Sequence, residues 1–223
     1  MLPRISSIVG ESKEKTEKLL SKSTELSICM SCAVGFGIAA IAREFVPPFF
    51  GDGYEKCVNL LVLFVPVLFV KSLSNIVNQQ YLIPAKCDNQ YTLAVTGGAI
   101  VNLICNGLLI PQLGSVGATL GTLMAELSVL TISAHCAKKE IHFFRMFSRY
   151  SYYLLFGMTM FIAVRFFDLR LDIEQPIIRL LLMIMIGGGV YSILCMTVWL
   201  KVKEKSVFGG ILNSLSKKGE IRK

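Results

Sequence analysis

Windows of about twenty almost uninterrupted apolar residues alternate along this chain with short polar stretches. Six such windows run roughly from Glu25 to Phe45, Cys57 to Ile83, Tyr91 to Ile110, Ser115 to Cys136, Tyr150 to Val164 and Ile178 to Leu200. A bilayer core of about 30 Å needs that length of helix. Strands of a membrane barrel alternate over about ten residues, whereas these windows are continuously apolar and rich in Leu, Ile, Met and Ala, so helices are expected. The predicted fold class is all-α: a polytopic helical membrane protein with six transmembrane helices.

Composition agrees. At 223 residues, 53% hydrophobic, 17% charged and a mean hydropathy of +0.61, the chain is too apolar for an ordinary soluble domain. Its polar start holds no apolar signal core, so the first window is expected to serve as its own insertion signal. Most lysines and arginines lie on one side: Lys13, Lys15, Lys18 and Lys22 before the first window, Lys86, Lys138, Lys139, Arg145 and Arg149 in later loops, and the basic tail after Leu200. Only Arg43, Lys56, Arg165, Arg170 and Arg179 fall on the other side, which predicts that both termini are cytoplasmic. The net charge of +8 is strung along loops facing anionic headgroups instead of being gathered with aromatics on one face. Membrane lipids are therefore expected partners, and nucleic acid is not.

Cys29 and Cys32 have the spacing of a redox or zinc motif, but they sit in an apolar helix with no second pair and read as small hydrophobic filler. His135 and His142 flank a basic loop with no acid or nucleophile at catalytic spacing, so both read as interfacial side chains. No cofactor, metal site or enzymatic activity is implied.

Residues 5–25 alternate charge and apolar positions at helical spacing, as a helix lying along the headgroups or a solvated linker helix would. Pro47-Pro48 are expected to stop the first helix and Gly51-Asp52-Gly53 to make a turn. Pro111 is expected to end the third helix, with Gly114 in the turn and Ser115 capping the fourth. Gly114, Gly117, Ala118, Gly121 and Ala125 then recur near four-residue spacing, a row that lets helix backbones approach closely. The last two windows hold no internal amide or acid and are expected at the periphery, facing lipid.

Three windows carry polar chemistry. The second has Lys71, Ser72, Asn75, Asn78 and Gln79 on one helical face, the third has Asn102 and Asn106 one turn apart, and the fourth has Glu126 near its centre. A lysine or acid in mid-membrane costs roughly 2.5–3.5 kcal/mol, so each needs a partner or a wet cavity. Three readings follow. Lys71 and Glu126 pair across neighbouring helices; or the face lines a solvated cavity where Lys71 meets an anionic substrate group and the amides bond sugar hydroxyls; or Glu126 anchors a proton or sodium relay.

The start MLPRISSIVGESKEKTEKLLSKS, the FFGDGYEKC turn and above all GAIVNLICNGLLIPQLGSVGATLGTLMAEL, Gly98 to Leu127, resemble the C-terminal half of the polysaccharide and oligosaccharide flippases of the MOP exporter superfamily. That superfamily also contains the MATE drug exporters and the lipid II flippases. The resemblance covers the chain to about Lys139, and the last two windows by hydrophobic layout alone. It implies a transporter in a bacterial cytoplasmic membrane. Its substrate would be an undecaprenyl-pyrophosphate-linked oligosaccharide repeat unit, flipped by alternating access for capsule, O-antigen or exopolysaccharide assembly. Such transporters have two lobes around a cationic cavity, and members usually carry about twice as many residues. The expected layout is a cytoplasmic amphipathic segment at 1–24, a four-span lobe core at 25–139, two peripheral spans at 140–200 and a basic tail at 201–223. The resemblance further implies that Lys71, Asn75, Asn78, Gln79, Asn102, Asn106 and Glu126 face the cavity. A missing N-terminal half or a second copy would complete it, the chain being a fragment, a split subunit or an inactive remnant. A cation-coupled drug exporter built on Glu126 is the alternative within the superfamily.

Overall fold

The computed structural model describes residues 13–51, 53–138, 147–170, 173 and 175–201. Expectations for residues 1–12, for the loop carrying His142 and for the basic tail lie outside the described residues. Among the described residues there are six long helices: α1 (Lys13–Phe50), α2 (Lys56–Val77), α3 (Asp88–Leu113), α4 (Ser115–Ala137), α5 (Tyr152–Asp168) and α6 (Pro176–Lys201). Five of them are long and apolar enough to cross a membrane. The exception is α5, whose 17 residues reach only about 25 Å.

Helix ends depart from expectation in three places. The amphipathic residues from Lys13 onward continue without a break into the first span, giving one helix of 38 residues, about 57 Å long. Pro47 and Pro48 do not stop that helix. They occupy its last turn, which is closed by a bond from the Gly51 amide to the Pro47 carbonyl at 3.0 Å, where only a few further residues depend on the amides that proline lacks. Pro111 likewise lies inside α3, and the chain reverses at Gly114, whose φ of 57° and ψ of −130° are open to glycine and strained for other residues. Ser115 is the first residue of α4 instead of its cap.

Helix neighbours form an ordered row. α3 packs on α4, α4 on α2, α2 on α1, and α5 and α6 both pack on α1 and on each other. The last two helices do turn exposed apolar side chains outward, Leu155, Ile162, Leu181, Met185 and Ile193 among them. Their inner faces nevertheless share the main core with α1: Tyr153, Met160, Val164, Met183, Tyr191 and Cys195 are buried with Leu20, Ile28 and Cys32. Cys29 and Cys32 are both buried there, and the Cys29 sulfur lies 3.9 Å from that of Cys195 on α6.

The small-residue row of α4 brings two backbones together. A side chain at Gly117 would fall on the Leu109 carbonyl of α3, and one at Gly121 would fall on the Asn106 amide group. Replacing Gly117 by Leu should therefore lower the thermal unfolding midpoint of the detergent-purified protein by several degrees, from about 1–3 kcal/mol of overpacking. Gly107→Ala, where nothing lies within 4 Å of the new methyl, should leave the midpoint close to that of the native chain.

Candidate functional site

The polar face of α2 meets α4 because both helices run in the same direction, with partners separated by 55 positions at two successive levels. Lys71 donates to Glu126 at 2.5 Å, and two turns on Ser133 donates to Asn78 at 2.6 Å. Glu126 and Ser133 are themselves seven residues apart, as are Lys71 and Asn78, so both pairs lie on one seam. Between them Ser74 donates to the second carboxylate oxygen of Glu126 at 3.4 Å. Of the three readings of Lys71 and Glu126, the structure realises the pairing across helices. The pair is not sealed, because the lysine side chain is 55% exposed while that of Glu126 is 16% exposed.

Asn78 is buried at 4% exposure, whereas Asn75 is half-buried and Gln79 exposed. Among the described residues the side chains of these last two make no hydrogen bond. Just here α2 widens into a π-helical segment, Asn78–Leu82, with the Ile83 amide bonded to the Asn78 carbonyl five residues back at 3.0 Å. The side-chain oxygen of Gln80 is buried there without a partner.

Asn102 and Asn106 form a separate group. The Asn106 amide donates to the Asn102 oxygen at 2.9 Å, while the Asn106 oxygen is buried against Gly121 without a partner. On α4 the α3-facing row through Gly117, Gly121 and Ala125 and the α2-facing row through Glu126 and Ser133 run about 100° apart. The structure thus brings Lys71, Asn78 and Glu126 onto one seam and holds the two α3 asparagines on the adjoining one.

Sequence reasoning missed the polar groups that tie the last two helices to α1. At one end Glu44 and Asp168 share Arg165, at 3.0 and 3.2 Å, and Arg179 closes on Asp168 at 2.6 Å. Tyr153 donates to the buried Glu25 at 3.2 Å, and Tyr191 to the Cys29 carbonyl at 2.7 Å. The i,i+3 spacing of Arg165 and Asp168 was the available signal, masked by its place at a window edge. Ser133 was equally legible from its seven-residue spacing to Glu126.

An apolar groove of about 530 Å³ runs between α1, α5 and α6, lined by Met30, Gly37, Met160, Met183, Gly187 and Tyr191. It can hold hydrocarbon and offers almost nothing to a polar ligand. Among the described residues no cluster of three or more His, Cys, Asp or Glu could hold a metal ion.

The fold matches the solved structure "Lipid II flippase MurJ, inward closed conformation" with a TM-score of 0.64 at 15% sequence identity, over 89% of this chain. The chain spans 42% of the length of that flippase. No protein-family model matches the sequence, and no curated protein sequence does. The likeness establishes the fold, an all-helical bundle arranged like part of that structure, and five of its helices are long and apolar enough to cross a membrane.

The pairing geometry predicts strong coupling between Lys71 and Glu126. Lys71→Met alone leaves a largely buried carboxylate without its counter-ion and should cost roughly 1–3 kcal/mol of stability. Lys71→Met with Glu126→Gln should recover most of that loss, as read by thermal unfolding of the three variants beside the native protein in one detergent.

Proposed function

We propose that this chain is one lobe of a flippase in a bacterial cytoplasmic membrane that moves lipid-linked oligosaccharide repeat units, carried on undecaprenyl pyrophosphate, between leaflets. The observation that carries this reading is a half-exposed lysine well inside a helix of membrane-spanning length, in a fold like that of a solved flippase. An ammonium kept at such depth, beside Asn75 and Gln79 with unspent amide groups, offers a pyrophosphate its charge and a sugar its hydrogen bonds. The groove between α1, α5 and α6 gives a prenyl tail an apolar berth. Glu126 orients Lys71, Asn78 fixes the same seam through Ser133, and Asn102 and Asn106 shape the adjoining one.

In this reading the Lys138 end of the bundle is cytoplasmic, as the cation bias directs. A second lobe, from another polypeptide or a second copy of this chain, closes the cavity and permits alternating access. The rival within the superfamily, a cation-coupled drug exporter, is favoured less because the Glu126 carboxylate is occupied by the Lys71 ammonium where a coupling ion would sit.

Proteoliposomes containing the chain, alone or with a complementary lobe, and a fluorescent undecaprenyl-diphosphate oligosaccharide provide the test. Translocation is read as loss of the label to an impermeant quencher. Lys71→Ala should slow it by tenfold or more, and transport that is unchanged in Lys71→Ala would remove the lysine from the mechanism.

A further inference from the structure

We propose that Lys71 and Glu126 are an exchangeable ion pair: an anionic diphosphate headgroup takes Lys71 away from Glu126, and Glu126 takes up one proton in return. The inference rests on the reading of this face as a substrate surface and adds a coupling between headgroup binding and protonation.

The two partners are unequally placed. Lys71 is 55% exposed and Glu126 16%, so an incoming anion reaches the ammonium first and the carboxylate stays behind it. Lys71 holds one carboxylate oxygen at 2.5 Å, and the other has only the long 3.4 Å contact from Ser74. Nearly all of the compensation for the Glu126 charge therefore comes from the lysine.

Other groups around the carboxylate do not replace it. The α2 face contributes Ser74, and Ser72 is turned to the Ser27 carbonyl of α1 at 3.4 Å. The neighbouring α3 row contributes the neutral amides of Asn102 and Asn106. On α4 itself the next titratable residues among those described, His135 and Lys138, lie more than two turns away. Once Lys71 has left, no charged side chain among the described residues is at hand to balance Glu126.

A carboxylate stripped of its counter-ion in such surroundings neutralises by taking a proton. The exchange balances as follows: the Lys71–Glu126 pair, the diphosphate anion and one proton from water become a lysine–diphosphate pair and a neutral Glu126 carboxylic acid. The only covalent change is the proton's transfer, which breaks its bond to hydronium or buffer acid and forms the O–H bond on Glu126. The bound state holds one proton more than the free state, so affinity falls as pH rises, by up to about tenfold per pH unit where uptake is complete. A ligand without an anionic headgroup cannot displace the carboxylate, which makes the pair a filter for charged lipids as well as a coupling device.

The test uses the full chain in detergent micelles with farnesyl diphosphate as the probe, titrated calorimetrically in two buffers of different protonation enthalpy. Wild type should take up about one proton more per probe than Glu126→Gln, which cancels the probe's own titration. Glu126→Gln should bind at least as tightly as wild type, and Lys71→Gln should lose tenfold or more. Equal proton uptake in wild type and Glu126→Gln overturns the exchange while leaving Lys71 as an anion site. Affinity unchanged in Lys71→Gln overturns the exchange and the substrate-face reading together. If Glu126→Gln does not fold, the infrared difference spectrum of wild type decides: a protonated-carboxyl band that appears with the probe supports the exchange, and its absence overturns it.

Discussion

A charge placed inside hydrocarbon has no water to turn to, so it must find its opposite on another helix, and that search selects which helices are neighbours. Lys71 finds Glu126 and ties α2 to α4. Glu44 finds Arg165, Arg165 and Arg179 share Asp168, and α1, α5 and α6 are tied at one end. Hydrogen bonds follow the same logic, with Ser133 on Asn78 and Tyr153 on Glu25. Because lipid tails are as apolar as leucine, hydrophobicity draws these helices together only weakly, and such pins together with close packing must supply the specificity.

Close packing holds the other edge of the row. Gly117 and Gly121 let α4 approach α3 until a carbonyl and an amide group occupy the space a side chain would need. The two devices divide the molecule: small residues join α3 to α4, and polar pins join α4 through α2 and α1 to the last two helices. α1 is central to the second set, which explains why α5 and α6 are anchored elements although their outer faces are wholly suited to lipid.

The pins are not equivalent, and the difference bears on function. The Asp168 side chain is only 2% exposed and is gripped by two arginines, so that cluster is a fixed clasp. Lys71 has one ionic partner and half its side chain open. A competing anion can separate an ion pair whose cation is open and singly held, whereas freeing Asp168 means removing two arginines that are only 25% and 33% exposed. This asymmetry, in a fold that matches part of a solved transporter structure, is what directs the proposed function to Lys71.

Much of this was legible in the pattern of apolar windows, since a bilayer fixes the length and continuity of anything that crosses it. The all-helical class followed from that, and the count of six transmembrane helices came within one of the five helices long and apolar enough to cross. The prolines misled because their cost depends on how many bonds remain beyond them, and at Pro47 and Pro111 few did. The seam between Lys71 and Glu126 was half legible: each residue demanded a partner, and their pairing was one of three available outcomes. What the sequence by itself determined is which residues need compensation, because that cost belongs to the side chain and its depth. What only the tertiary structure decided is who compensates whom and which partner stays exposed, because both depend on the direction and rotation of helices far apart in the chain.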